Sequence, residues 1–122
     1  SGYMFRAATV QDFSAVTGAC LLVKTSVWDE VKGLDEAFAV AFNDVDFCLR
    51  VRDAGYRIAW TPCAQLTHYE SKSRGLDTTP ENAARYAREK ANFYTKYHEY
   101  IDHYDPYYNP HFNNLFENFG LK

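Results

Sequence analysis

Two aspartates lie in a segment whose pattern predicts the start of a helix. Residues 42–50 are Phe-Asn-Asp-Val-Asp-Phe-Cys-Leu-Arg, which places Asp44 and Asp46 in the first turn after the expected capping residue Asn43. The helix macrodipole favours the ionised form of a carboxylate at this position. Because an ionised carboxylate can take a proton from a substrate hydroxyl, the segment could supply a general base.

Each aspartate also has a structural interpretation. Asp46 could accept a hydrogen bond from the backbone N–H of Asn43, as in a capping box, and pair with Arg50 one turn later. We favour this structural role for Asp46 and keep the residue as the second candidate for the general base. Asp44 would point toward whatever faces the end of the helix. The spacing leaves open whether Asp44 is a base or only a first-turn acid.

His68 is the last residue of a predicted short strand and is the candidate metal ligand. Neutral imidazole is the commonest side-chain ligand for metals. One histidine with distant carboxylates suits Mg²⁺ or Mn²⁺ better than zinc. The alternative is a hydrogen-bonded structural histidine. His98, His103 and His111 are expected to be surface or packing residues.

Two further features could contact a substrate. Lys72 and Arg74 lie in a polar loop beside Gly75 and could neutralise a diphosphate, although a solvated surface loop explains them as well. Gly18, inside an apolar run, would allow a ligand or another backbone to approach closely. A bulge or tight packing would explain this glycine equally well.

The composition bounds the class of protein. The 122 residues allow a single domain, and 47% hydrophobic with 17% aromatic content argues against disorder. A net charge of -3 provides no broad attraction to nucleic acid or anionic lipid. No apolar run approaches the roughly 18 residues that span a bilayer. Three cysteines without Cys-x-x-Cys spacing favour reduced thiols and a cytoplasmic location.

The expected elements alternate between strands and helices, which predicts an α/β fold. The nearly continuous apolar run of residues 17–24 predicts a strand buried on both faces. A helix of about three turns should begin after Asn43 and stop at Gly55. The other expected elements are a short helix over 26–31, short strands over 58–60 and 65–68, a long helix over 79–103 and an extended tail over 104–122. The long helix carries a small-to-aromatic stripe formed by Ala83, Ala87, Ala91, Tyr94 and Ile101, with Tyr97 and Tyr100 on its flank.

Taken together, these segments resemble the C-terminal half of family-2 glycosyltransferases. The matching motifs are Thr-Gly-Ala-Cys-Leu-Leu-Val at 17–23, Gly-Leu-Asp-Glu-x-Phe at 33–38, Asn-Asp-Val-Asp-Phe-Cys-Leu-Arg at 43–50, Ala-Gly-Tyr-Arg at 54–57, Pro62, and His-x-x-Ser-x-Ser-Arg-Gly at 68–75. Their order and spacing match over about residues 16–75. The helix start at 79–81 and the Pro-containing tail at 105–110 look like those of members that build bacterial surface polysaccharides, including rhamnosyltransferase-like proteins.

The resemblance implies a fold and a reaction. The family has the GT-A fold, an α/β sandwich, and transfers a sugar from a nucleotide-diphosphate donor to a glycan or lipid-linked acceptor with inversion. It would make residues 16–75 the acceptor and catalytic half of that domain.

The resemblance also implies roles for individual residues. Asp44 falls where the family's general base lies, and His68 falls where many members bind the divalent ion, Mg²⁺ or Mn²⁺. Arg74 and Lys72 would belong to a loop that closes over the donor phosphates. Gly18, Asp35 and Glu36 would border the pocket for the sugar and the acceptor.

The chain departs from the family pattern in two ways. The family usually has Glu where this chain has Asn43, and the nucleotide-binding half with its Asp-x-Asp signature is missing from the sequence. We therefore expect the chain to be the acceptor-side portion of a longer enzyme. We also expect it to be inactive alone and able to self-associate through open edges. The competing class is a non-catalytic binding or scaffolding module with a glycosyltransferase-like shell. A metal-dependent hydrolase is a more distant alternative, because no second histidine or clustered acid set supports it.

Overall fold

Helices predominate in the structure, a computed structural model that describes residues 3–69, 79–103, 105–108 and 110–111, with only the backbone described for residues 3–5. The α-helices are α1 (Thr25–Glu30), α2 (Asn43–Asp53) and α3 (Pro80–Asp102). Two short 3-10 helices span Tyr3–Ala8 and Gly18–Cys20. Strands β1 (Gln11–Asp12) and β2 (Ala59–Trp60) form the sheet.

The sheet is a two-residue antiparallel ladder. Gln11 lies opposite Trp60, and Asp12 lies opposite Ala59. The pairing is extended by the Asp12 carboxylate, which accepts hydrogen bonds at 3.0 and 3.1 Å from Arg57. Strand β2 falls within the predicted strand over 58–60. Strand β1 was not predicted, because two residues are too few to show a period.

Helix α1 ends in a turn that only glycine can complete. Gly33 has a φ of +65°, and its N–H donates to the carbonyl oxygen of Trp28 at 2.9 Å. A Cβ on Gly33 would lie 2.9 Å from the Trp28 indole ring. The predicted short helix with Gly33 at its end is thus confirmed to within one residue at each boundary.

Helix α2 is where it was predicted, but its cap differs. The capping position is Phe42, with a left-handed φ of 64°, and Asn43 is the first helical residue. The Phe42 ring stacks on Phe93 of α3 with ring centroids 4.9 Å apart, which helps to hold this unusual backbone. At the other end, Gly55 (φ +90°) completes the predicted stop.

The core lies on the inner face of α2. Phe47, Cys48 and Val51 are buried there and pack against Val27 of α1 and Ile58 beside β2. Burial of this face removes apolar surface from water and fixes the rotation of α2 about its axis. That rotation decides where the two aspartates of its first turn point.

Helix α3 begins as predicted, although a different face is buried. Thr79 accepts a hydrogen bond from the Asn82 N–H at 3.2 Å, and Pro80 is the first helical residue. Its buried positions are Glu89 and Tyr97, and the half-buried positions Asn82, Arg85 and Phe93 lie three or four residues apart on the same face. The small-to-aromatic stripe does not form the buried face, since all five of its residues, Ala83, Ala87, Ala91, Tyr94 and Ile101, are exposed.

Two predicted strands are wrong for the described residues. Residues 18–20 form a 3-10 helix, and residues 21–24 are extended but pair with no strand in the described part of the chain. Leu22 is 97% exposed, whereas Leu21 and Val23 are half-buried against the core. Residues 65–68 also form no strand and are exposed. An apolar run predicts burial only if a second layer covers it, and no described element does so here.

The GT-A half-fold stays a prediction, because one two-stranded sheet does not distinguish fold families. The tail at Asp105–Tyr108 forms a turn closed by the Tyr108 N–H and the Asp105 carbonyl oxygen at 3.0 Å. The rest of the predicted extended tail, from residue 112 to residue 122, lies outside the described residues.

Candidate functional site

Asp44 lies half-exposed in the first turn of α2 and contacts Gly18. One carboxylate oxygen, Oδ2, accepts a hydrogen bond from the Gly18 N–H at 2.8 Å. The other, Oδ1, accepts from the N–H of Val45 at 2.9 Å. A Cβ on Gly18 would lie 3.2 Å from the Asp44 Cβ, closer than most real contacts. The close approach predicted at Gly18 is therefore made by the side chain of Asp44, and two of the predicted site residues meet.

Asp46 has the opposite environment and is fully buried. Its carboxylate accepts hydrogen bonds from Arg50 Nε at 2.8 Å, Lys96 Nζ at 2.7 Å and the Tyr97 hydroxyl at 2.6 Å. The predicted pairing with Arg50 is confirmed. The predicted cap on Asn43 is wrong, because the carboxylate turns inward to α3 instead of back along α2.

Arg50 extends this contact to the end of α1. Its Nη1 donates to the carbonyl oxygen of Val31, and its Nη2 donates to that of Gly33 at 2.8 Å. The guanidinium thus binds one carboxylate and two carbonyl oxygens that the end of α1 leaves unpaired.

Asp35 joins the same cluster through Lys96. Its Oδ2 accepts from Lys96 Nζ at 3.0 Å, and its Oδ1 accepts from the Ala37 N–H at 2.9 Å. The Ala37 N–H, followed by the Lys96 ammonium, lowers the pKa of Asp35. We call Asp35, Asp46, Arg50, Lys96 and Tyr97 the anchor network. Glu36, predicted beside Asp35 as a pocket residue, is exposed.

Lys96 and Tyr97 both stay protonated at neutral pH, so both continue to donate hydrogen bonds to Asp46. Burial lowers the pKa of Lys96, but its hydrogen bonds to Asp46 and Asp35 outweigh that effect and raise the pKa overall. Burial and the neighbouring Asp46 carboxylate raise the pKa of the Tyr97 phenol, so it remains a hydrogen-bond donor. Enclosed by three donors, Asp46 is poorly placed to take a proton from a substrate.

A second buried carboxylate holds the loop that precedes α2. Glu89 of α3 accepts a hydrogen bond at 2.7 Å from the N–H of Ala41. Sequence reasoning missed Glu89, Lys96 and Tyr97 as functional supports. The period of Glu89, Phe93 and Tyr97 was the available signal, since residues four apart share a helix face.

The described residues do not by themselves make a metal site. His68 is exposed, and no cluster of three His, Cys, Asp or Glu side chains with suitable spacing occurs in the described part of the chain. Both oxygens of Asp44 are already engaged by backbone N–H groups. Lys72 and Arg74, the predicted phosphate contacts, lie outside the described residues.

Curated relatives match parts of this chain. An uncharacterized protein, y4gI, of Sinorhizobium fredii is 52% identical over 90 residues, which cover 73% of this chain and 10% of that protein. The O-antigen biosynthesis protein RfbC of Myxococcus xanthus is 37% identical over 71 residues, covering 58% of this chain and 6% of that protein. The N-acetylglucosaminyl-diphospho-decaprenol L-rhamnosyltransferase of Mycobacterium tuberculosis is 34% identical over 71 residues, covering 58% of this chain and 23% of that protein.

The chain thus spans under a quarter of the length of these three relatives. No family model matches it, and no solved structure matches it significantly. Among the described residues, no helix combines the length and apolar character needed to cross a membrane.

Proposed function

We propose that the chain is part of a glycosyltransferase that moves a sugar from a nucleotide-diphosphate donor to a glycan or lipid-linked saccharide. The transfer would serve the biosynthesis of a surface polysaccharide of the O-antigen type. The partial similarity to a protein named for O-antigen biosynthesis and to a named rhamnosyltransferase supports this class. The observation that carries the catalytic assignment is the half-exposed Asp44 carboxylate, held by the N–H groups of Gly18 and Val45.

In this proposal Asp44 is the general base. Its carboxylate takes the proton of the acceptor hydroxyl while that oxygen forms a bond to the anomeric carbon of the donor sugar. The bond from that carbon to the diphosphate breaks on the opposite face, so the configuration inverts. The contact with Gly18 fixes the side chain before substrate arrives, which lowers the ordering cost of the transition state.

The residues assigned to the donor sugar, Lys72, Arg74 and His68, come from the resemblance to family-2 glycosyltransferases. Lys72 and Arg74 would neutralise the diphosphate, since a guanidinium binds two phosphate oxygens at once. His68 would be one ligand of Mg²⁺ or Mn²⁺, with the other ligands contributed from outside the described residues. The full-length protein would have the GT-A fold and belong to family 2. The reaction would take place on the cytoplasmic side, where nucleotide sugars would be the donors.

The test compares the full-length protein that carries this chain with its Asp44→Asn variant. Removal of a positioned general base should lower kcat by roughly 10² to 10⁴-fold while donor binding is retained. Asp29→Asn, an exposed aspartate on α1, is the matched control and should leave kcat unchanged. Equal turnover by the wild type and Asp44→Asn would refute the base assignment.

The second candidate is a non-catalytic saccharide-binding module. Asn43 favours it, because this position carries an acid in the family that the sequence resembles. The same experiment separates the two functions. A wild-type protein that binds nucleotide sugar or glycan and shows no transfer to any acceptor would support the module.

A further inference from the structure

A cavity of about 490 Å³ lies away from Asp44, near the C-terminal end of α2. Its walls come from Ser14 after β1, from Arg52 of α2, from the last turn of α3 and from the turn beginning at Asp105. A volume of this size is in the range of pockets that hold small ligands. None of the site residues discussed above lines it.

Arg52 is the most unusual residue of this cavity. Its Nη1 atom is buried and has no hydrogen-bond partner among the described residues. The guanidinium lies over two aromatic rings, 6.0 Å from the centre of Tyr100 and 5.2 Å from that of Tyr107. The faces of these rings attract the cation without using its N–H donors. A buried donor without an acceptor is costly. Nη1 gains an acceptor from a ligand when the guanidinium turns toward the cavity that Arg52 lines.

The end of α3 adds hydrogen-bond acceptors. The Glu99 carboxylate lines the cavity, and no hydrogen bond or ion pair joins it to the described residues. The His103 Nδ1 lies 2.7 Å from the Glu99 carbonyl oxygen. Because a carbonyl oxygen only accepts, Nδ1 carries the proton and the Nε2 of a neutral ring is left as an acceptor.

The remaining polar groups of the cavity wall are already satisfied. The Ser14 hydroxyl donates to Asp105, and the Tyr100 hydroxyl donates to Asp53. The first bond joins the segment after β1 to the turn at Asp105, and the second joins α3 to α2, so each holds two walls of the cavity together. The Tyr100 ring remains as an apolar surface.

We propose that this cavity is a saccharide-binding subsite for a neutral pyranose. A sugar hydroxyl both donates and accepts, which matches a guanidinium set beside a carboxylate and an imidazole nitrogen. The C–H face of the ring packs on an aromatic side chain. The carboxylates of Glu99 and Asp105 lie around the single cation of Arg52, so a phosphate or another anion is disfavoured.

The position of the subsite indicates which sugar it holds, in a step that rests on the proposed function. Arg52 follows Asp44 by eight residues of the same helix, a rise of roughly 12 Å. This separation exceeds the size of one sugar. The subsite therefore holds a unit of the acceptor glycan remote from the reacting hydroxyl, where binding energy contributes to orientation.

The test titrates the 122-residue chain with the methyl glycoside of N-acetylglucosamine and, separately, with inorganic phosphate, observed by NMR. We expect the sugar to shift the Arg52 side-chain and Tyr100 ring signals at millimolar concentration, with saturation transfer from protein to sugar. No shift of these signals by the sugar, or shifts by phosphate alone, would overturn the proposal. The NMR titration needs no turnover, so its result is independent of the result of the Asp44→Asn experiment.

Variants locate the binding. Glu99→Gln and Arg52→Met should each weaken sugar binding by about tenfold or more, as expected for loss of a hydrogen bond to a charged group. The matched controls are Glu81→Gln and Arg88→Met, both exposed on α3, which should bind like the wild type. Unchanged affinity in both cavity variants would place the sugar elsewhere and overturn the assignment. The wild-type shifts remain decisive even if Arg52→Met does not fold.

Discussion

Asp44 and Asp46 are two residues apart in one helical turn, yet their carboxylates have opposite environments. Asp44 is half-exposed and bound by backbone N–H groups, whereas Asp46 is fully buried among cationic and hydroxyl donors. The helix period explains the difference, since positions two apart project about 200° from each other around the axis. Only one of the pair can face a substrate.

The contacts of Asp46 separate what sequence can predict from what it cannot. The bond to Arg50 was predictable, because residues four apart on a helix are neighbours. The bonds to Lys96 and Tyr97 were not, because 50 and 51 residues separate the partners. Their meeting depends on how α3 packs, which no local pattern specifies.

Loss of the Asp46 charge should destabilise the chain. Asp46→Asn leaves Arg50 and Lys96 without their shared buried carboxylate. We expect a loss of about 2–3 kcal/mol in the free energy of unfolding, less than for a fully enclosed pair because Lys96 is 38% exposed. Urea unfolding followed by circular dichroism measures it, with Asp29→Asn as the control. A change below about 0.5 kcal/mol, typical of surface substitutions, would contradict the account of Asp46.

A methyl group at Gly18 should disturb Asp44 directly. Gly18→Ala places a Cβ 3.2 Å from the Asp44 Cβ, so the carboxylate or the 3-10 helix must shift. We expect a destabilisation of about 1 kcal/mol and a fall in kcat of the full-length enzyme larger than the change in donor affinity. The exposed neighbour Ala19→Ser is the control. If kcat of Gly18→Ala equals that of the wild type, the contact with Asp44 does not position the base.

Among the elements, α3 acts as the support for the loop and helix that carry Asp44. Its residues Glu89, Phe93, Lys96 and Tyr97 contact the segment from Asp35 to Asp46 at several points. The start of this element was predictable, because the Thr79 cap with Pro80 is a local signal. Its buried face was not predicted, because the stripe visible in the sequence is exposed and Glu89 and Tyr97 are buried instead.

Removal of the Tyr97 hydroxyl should weaken the link between α2 and α3. Tyr97→Phe deprives the buried Asp46 carboxylate of one donor, at 2.6 Å, and should cost about 1–2 kcal/mol in the free energy of unfolding. Tyr94→Phe is the matched control, because Tyr94 is exposed and its hydroxyl bond to Asp102 is long, at 3.4 Å. Equal stabilities of the two variants would show that the buried bond contributes nothing to the packing of α3.

The stabilisation that Asp35 gives to the anchor network should be lost in acid. Because the folded-state pKa of Asp35 lies below its ordinary value of 3.8, the unfolded chain binds a proton at higher pH. The stabilisation by Asp35 is thus complete above about pH 4 and is lost as the pH falls through the lower, folded-state value. Thermal unfolding from pH 6 down to pH 3 should show a smaller decrease of Tm in Asp35→Asn than in the wild type. Parallel curves for the two proteins would contradict a role of Asp35 in the anchor network.

At the scale of the whole molecule, apolar side chains remain uncovered beside the core. Leu22 and Leu66 are 97% and 75% exposed, and the extended segment 21–24 pairs with no strand in the described residues. The sequence predicted a strand buried on both faces in this segment, and that prediction is wrong, because Leu22 is exposed while Leu21 and Val23 are half-buried. It could not specify what covers them, because burial of a strand depends on a neighbouring layer.

This surface should make the purified chain self-associate. We expect the average mass from light scattering to rise with protein concentration, because exposed apolar side chains and a free backbone edge favour contact between copies. Leu22→Lys should reduce the association, whereas Thr25→Lys, an exposed neighbour with the same added charge, should not. A monomer at every concentration would contradict the prediction.

If Asp44 removes the proton from the acceptor hydroxyl, its loss should slow the chemical step itself, which a single-turnover experiment on the full-length protein measures. Enzyme in excess, saturated with donor and acceptor, reports the chemical step without binding or product release. We expect the transfer rate of the Asp44→Asn variant to be roughly 10² to 10⁴-fold lower than that of the wild type, with both substrates still bound. A rate within about twofold of wild type would show that Asp44 is a structural first-turn acid and would contradict the claim.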